Sequence, residues 1–219
     1  MTMQNNWNEF DWEKELRKDD ERIHTYMSEL PRYIDLPDED GIIMKQIQRR
    51  GELVPHGAAG SWPPPFSDDF GEDDPEEDQN DSPSRDDWQK HEGADIYILS
   101  GKLAREFCVL YSDADSSDTE VTSLYLFILC SLGKIMARSG DIIDMPPGEE
   151  LPLRTALCKR LLSGLNAVMG KTLRLAERNP EQSDTFESLL KELQILRERI
   201  LLLLRNSRNG GRQTGGNPS

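Results

Sequence analysis

The sequence predicts a mainly α protein: a C-terminal four-helix bundle, preceded by an N-terminal helical segment and an acidic disordered linker. Three observations carry that expectation. The stretch Thr119 to Ala137, TEVTSLYLFILCSLGKIMA, holds no charge between Glu120 and Lys134, so it reads as a buried central helix. Four apolar patterns at helical spacing follow one another between Gly93 and Ser207, joined by loops short enough for antiparallel neighbours. Between them and the N-terminal segment, residues 54–92 turn abruptly to Pro, Gly, Ser, Asp and Glu. The expected division is therefore 1–53 as helical segment, 54–92 as linker, 93–207 as bundle and 208–219 as a disordered tail.

Taken in order, Asn8 to Leu30 carries Trp12, Leu16, Ile23, Tyr26, Met27 and Leu30 at spacings of three, four or seven. That is one narrow apolar stripe on a charged helix, and Pro31 is expected to stop it. Arg32 to Pro37 is bracketed by prolines and reads as extended or turned. A short helix follows from Asp38 or Asp40 to Arg50, with aspartates at its positive end, Arg49 and Arg50 in the last turn and Gly51 at C′.

The linker combines high net charge with few aliphatic residues, which cannot offset an ordering entropy of roughly 1–2 kcal/mol per residue. From Asp68 to Glu92 there are 12 acidic and 2 basic residues. Its aromatics, Trp62, Phe66, Phe70 and Trp88, suit docking anchors or contacts folded back onto the bundle, with fold-back preferred for Trp62 and Phe66.

In the bundle, Ala94 to Tyr111 places Ile96, Leu99, Leu103, Phe107 and Leu110 on one side. After the loop SDADSSD, Ser117 and Glu120 match a capping box that opens the central helix, and Gly140 is its expected end. Leu124, Leu126, Phe127, Ile128, Leu129, Leu132, Ile135 and Met136 run almost round this helix, as for one enclosed by others. The stretch is too short for a bilayer, which takes about 20 apolar residues. Pro152 starts the third helix, in which Leu153, Leu157, Leu161, Leu165, Val168, Thr172 and Leu175 recur at intervals of three or four. Gly164 and Gly170 within it permit close approach or are simply tolerated. The fourth is expected to open at Asn179, Pro180 and Gln182 as N-cap, N1 and N3. Its seam, Phe186, Leu189, Leu193, Leu196, Ile200 and Leu203, keeps heptad spacing, with Leu190, Ile195, Leu201, Leu202 and Leu204 alongside.

A net charge of -15 argues against nonspecific binding to nucleic acid or an anionic membrane. Cys108, Cys130 and Cys158 show no CxxC spacing and an odd count, so they read as reduced core residues in a cytoplasmic protein, and no secretory leader is expected. Walker A, GxGxxG and GxSxG motifs are absent, the three histidines are scattered, and the acidic cluster lacks EF-hand spacing. No catalytic residue, metal ligand or cofactor is expected. Arg85 and His91, with five residues between them, are similar to the R-x4-6-H pattern of HEPN-type ribonucleases, a helical-bundle family; the resemblance covers those two residues and implies, as an alternative, a nuclease.

The function expected from these features is that of a noncatalytic protein-interaction adaptor or regulatory module whose partner is another protein. Trp7, Phe10 and Trp12 crowd three aromatics into a charged N-terminus, and aromatics are frequent anchors. With Leu16 they read as a recognition element for a partner or for the protein's own bundle. Leu201 and Leu204 extend the last seam beyond one bundle face and point to a homodimer through that helix. A further alternative has the acidic linker mimic nucleic acid toward a basic partner.

Overall fold

The computed structural model describes residues 7–33, 36–54, 87–114, 117–146 and 150–213. It is mainly α, with α1 (Glu9–Tyr33), α2 (Glu39–Arg49), α3 (Ala94–Ser112), α4 (Thr119–Asp144), α5 (Leu151–Arg178) and α6 (Ser183–Gln213), and no strand among the described residues. Three single 3-10 turns, Gly51–Leu53, Asp87–Lys90 and Pro180–Gln182, punctuate the helices. The chain forms two compact units, one of residues 1–9 and 83–219, the other of residues 10–82.

In the larger unit, α3 packs on α4, α4 on α5, α5 on α6 and α6 back on α3, a closed ring of four helices. The expected seams of α5 and α6 face inward: Leu157, Leu161, Leu165, Val168 and Leu175, and all six residues from Phe186 to Leu203, are buried. The core also takes small polar residues. Ser100, Ser139, Thr172 and Ser207 are buried, and each hydroxyl donates to the carbonyl four residues back on its own helix, at 2.7 to 3.0 Å. That bond satisfies the hydroxyl without a cross-helix partner. Gly101 lies where α3 meets α4, and a Cβ there would stand 3.3 Å from Met136 Cε, the end of a flexible side chain that would have to give by a few tenths of an ångström. Gly164 and Gly170 meet no such crowding and are tolerated rather than required.

Several boundaries differ from expectation for local reasons. The N-cap of α4 is Asp118 rather than Ser117: its Oδ1 accepts from the backbone N–H of Glu120 at 2.9 Å and of Val121 at 3.1 Å, and a carboxylate is favoured over a hydroxyl by the helix dipole. The helix runs through Gly140 to Asp144, since Ile142 and Ile143 beyond the glycine are buried and hold the extra turn. Asn179 does not cap α6. Its Nδ2 donates backward to the Leu175 carbonyl at 2.8 Å and closes α5, while Pro180–Gln182 forms a 3-10 turn before α6 begins at Ser183. The last helix also continues past Ser207 to Gln213, carried by the burial of Leu203 and Ser207.

The smaller unit is built on Ile43, Met44, Ile47 and Leu53, against which Tyr26, Leu30 and Tyr33 of α1 pack. The stripe expected on α1 is rotated. Ile23 and Met27 are exposed, whereas Arg22 and Thr25 are buried. The reason is polar: Arg22 donates to Glu15 Oε1 at 3.2 Å and to the Leu53 carbonyl at 3.1 Å, and Arg50 reaches Thr25 Oγ1 at 3.4 Å. The Tyr26 hydroxyl donates to Asp40, and that bond pushes the phenol up to about 12. Pro31 does not stop α1, which continues to Tyr33; a proline this close to a helix end forfeits little of the remaining ladder.

Candidate interaction surface

The central helix is where sequence and structure part company most. Its inward residues, Val121, Leu124, Tyr125, Ile128, Leu132, Ile135 and Ile142, are buried, but Leu126 is 47% and Phe127 41% exposed. Leu126 and Phe127 were expected in the core; they are not, because a ring of four leaves each helix one outward face. Cys130, and likewise Cys108 on α3, are exposed, so of the three cysteines Cys158 alone is buried. Burial pushes the Cys158 thiol up to about 12.

The outward residues of α4 have a pattern of their own. Thr119, Ser123, Leu126, Cys130, Gly133 and Ala137 are all exposed and recur at spacings of 4, 3, 4, 3 and 4, the heptad rhythm of a packing seam. On one flank lie Glu120, Phe127 and Lys134, also exposed and seven apart. Thr119, Thr122, Ser123, Leu126, Phe127 and Cys130 together line a shallow, mostly apolar depression. Its rim is cationic. Lys171 of α5 stands 5.3 Å from the centre of the Phe127 ring, a cation–π distance, and Arg178 pairs with Glu120 and lies 3.6 Å from Asp118.

A second cleft of about 460 Å³ lies at the other end of α4, among Trp88, Lys90, His91, Glu92, Ile142, Ile143, Asp144, Met145, Pro146 and Arg154. Arg154 is buried, pairs with Glu92 and donates to the Met145 carbonyl at 3.3 Å. His91 Nδ1 stands 3.2 Å from the Ile143 carbonyl; a carbonyl only accepts, so that nitrogen carries the proton. Trp88 meets Tyr97 edge-on at 5.7 Å between ring centres. These groups tie the turn before α3 and the start of α5 to the last carbonyls of α4, which lack N–H donors within their own helix. The cleft is a structural clamp. His91, half of the HEPN-like pair, sits in that turn rather than on a helix, and Arg85 lies outside the described residues. No group of three or more His, Cys, Asp or Glu suited to a metal occurs among the described residues.

Of the residues expected to bind a partner, Phe10 is 67% exposed, while Trp7, Trp12, Leu16, Leu201 and Leu204 are half-buried. Leu202, between the last two, is 51% exposed. Trp62, Phe66 and Phe70 lie outside the described residues. The outward face of α4 escaped the sequence reading because a run without charge looks uniformly buried. Its signal was the second, small-residue stripe running beside the Leu and Ile stripe. By length and composition α4 would also suffice to cross a membrane, though one side of it is packed into the bundle. No family model, curated protein or solved structure matches the chain.

Proposed function

We propose that the chain is a noncatalytic protein-interaction module in which the bundle holds the outer face of α4 open to a helical partner, with the aromatic N-terminus as a second element. One observation carries this reading: for about three turns, from Ser123 to Gly133, the outward face of a helix in a folded bundle bears no charge, and it centres on the exposed Leu126 and Phe127. The outer face of a bundle helix is ordinarily polar or charged, and contiguous apolar surface is characteristic of interfaces. A flat stripe one helix wide suits the packing of another helix, in the way amphipathic segments lie along grooves. The exposed thiols of Cys108 and Cys130 fit a reducing compartment.

The reading is tested with the tagged full-length chain and its Leu126→Asp variant, compared for the proteins each retains, added untagged chain included, and for melting temperature. The expected result is retention by the wild type that the variant loses at unchanged stability. Equal retention by both overturns the reading, and a large fall in melting temperature shows that the face is covered from within.

A further inference from the structure

We infer that the outer face of α4 docks on the same face of a second copy of this chain, the two helices running antiparallel about a two-fold axis near Phe127 and Ile128. The inference rests on the reading of that face as a docking surface, and it names the occupant from the arrangement of the residues themselves. A two-fold interface uses one patch twice, so the patch must complement itself.

This one does so in each layer. With the copies antiparallel, Leu126 lies opposite Cys130 of the second copy, Ser123 opposite Gly133, and Thr119 opposite Ala137. Each layer sets a side chain against a small one, which lets the helices approach closely. The seam spacing of 4, 3, 4, 3 and 4 is the one that knobs-into-holes packing between two helices needs. The flank is the deciding feature. Glu120, Phe127 and Lys134 stand seven apart on one side, and the two-fold brings Glu120 beside Lys134 of the second copy, Phe127 beside Phe127, and Lys134 beside Glu120.

Charge complementarity therefore arises twice from a single sequence. The Glu120 side chain is 58% exposed and holds Arg178 on one side, leaving carboxylate lone pairs for a second cation. Lys134 is exposed and has no ion pair among the described residues. A parallel copy brings Lys134 beside Leu129 instead and gains no opposite-charge pair. The stripe from Thr119 to Ala137 is about 27 Å long at 1.5 Å per residue. One helix width of that length is at the low end of specific interfaces, so the dimer forms in a concentration-dependent way.

Sedimentation equilibrium of the full chain over about two decades of concentration, with thermal melting as the check on folding, tests this. The wild type is expected to dimerise. Phe127→Glu, which sets two carboxylates face to face on the axis, is expected to weaken association at least about tenfold. Lys134→Glu is expected to weaken it up to about fivefold, and the double variant Glu120→Lys with Lys134→Glu to recover it. A wild type that stays monomeric throughout overturns the inference, while capture of a different protein through Leu126 leaves the docking surface itself standing. A dimer indifferent to Phe127→Glu overturns it as well. Failure of the double variant to recover at unchanged melting temperature overturns the antiparallel register. Lys134→Glu lies at an exposed site, so the inference remains testable even where Phe127→Glu fails to fold.

Discussion

Ile128 and Leu126 sit two residues apart on α4, and the structure gives them opposite roles. Ile128 is fully buried, whereas Leu126 is 47% exposed. An unpaired carboxylate in a packed core is among the most damaging substitutions, and one at the surface changes stability by about 0.5 kcal/mol or less. Ile128→Asp should therefore lose at least about 4 kcal/mol in urea unfolding, and Leu126→Asp almost nothing. Similar losses in both would mean that the α4 face is closed. The cysteines divide in the same way. In the folded chain a thiol reagent should modify Cys108 and Cys130 quickly and Cys158 only on unfolding. Burial raises the Cys158 thiol from 9.0 to about 12. Between those values the unfolded chain has lost a proton that the folded chain keeps, so stability present below pH 9 falls as pH rises toward 12. Cys158→Ala should flatten that part of the pH profile, read from melting temperature against pH.

At the scale of elements, the ends of helices decided more than their middles. The C-terminal end of α4 is fixed by side chains from two other segments, His91 before α3 and Arg154 in α5, both directed at its carbonyls. Arg154 is 3% exposed while the Glu92 side chain is 48% exposed, so loss of the arginine strands carbonyl groups more than it strands a buried charge. Arg154→Ala is expected to destabilise the bundle by about 2 kcal/mol, and Arg154→Lys to recover little, since an ammonium lacks the fork that spans Glu92 and Met145. A melting temperature unchanged by Arg154→Ala would remove the clamp from the account. No feature of the LPLRTALC sequence marks Arg154 as buried. Its partners lie 62 and 9 residues away, beyond the reach of any helical periodicity.

For the whole molecule, α3 to α6 close a ring whose interior, among the described residues, is filled by their own seams. Residues 83–219 expressed alone are therefore expected to unfold in one cooperative transition, measured by circular dichroism against temperature. A broad, non-cooperative melt would show that residues 10–82 are needed to complete the core. The four buried hydroxyls within that ring bond to their own helices, so the fragment leaves none of them without an acceptor.

The sequence by itself determined the helical class, the order of the helices and the inward seams of α5 and α6. Each of these follows from the 3.6-residue period and the transfer of apolar side chains from water, and both act over one or two turns. Phe186, Leu193 and Ile200 could be read as buried from their neighbours in sequence alone. Only the tertiary structure decided which side of an all-apolar helix would stay outside. Ser123, Cys130 and Gly133 mark a stripe of small residues, but Leu126 and Phe127 carry no local mark that separates them from Leu124, Ile128 and Leu132. The distinction is made by where α3 and α5 come to lie against α4, and a ring of four helices has room to cover only its inner side.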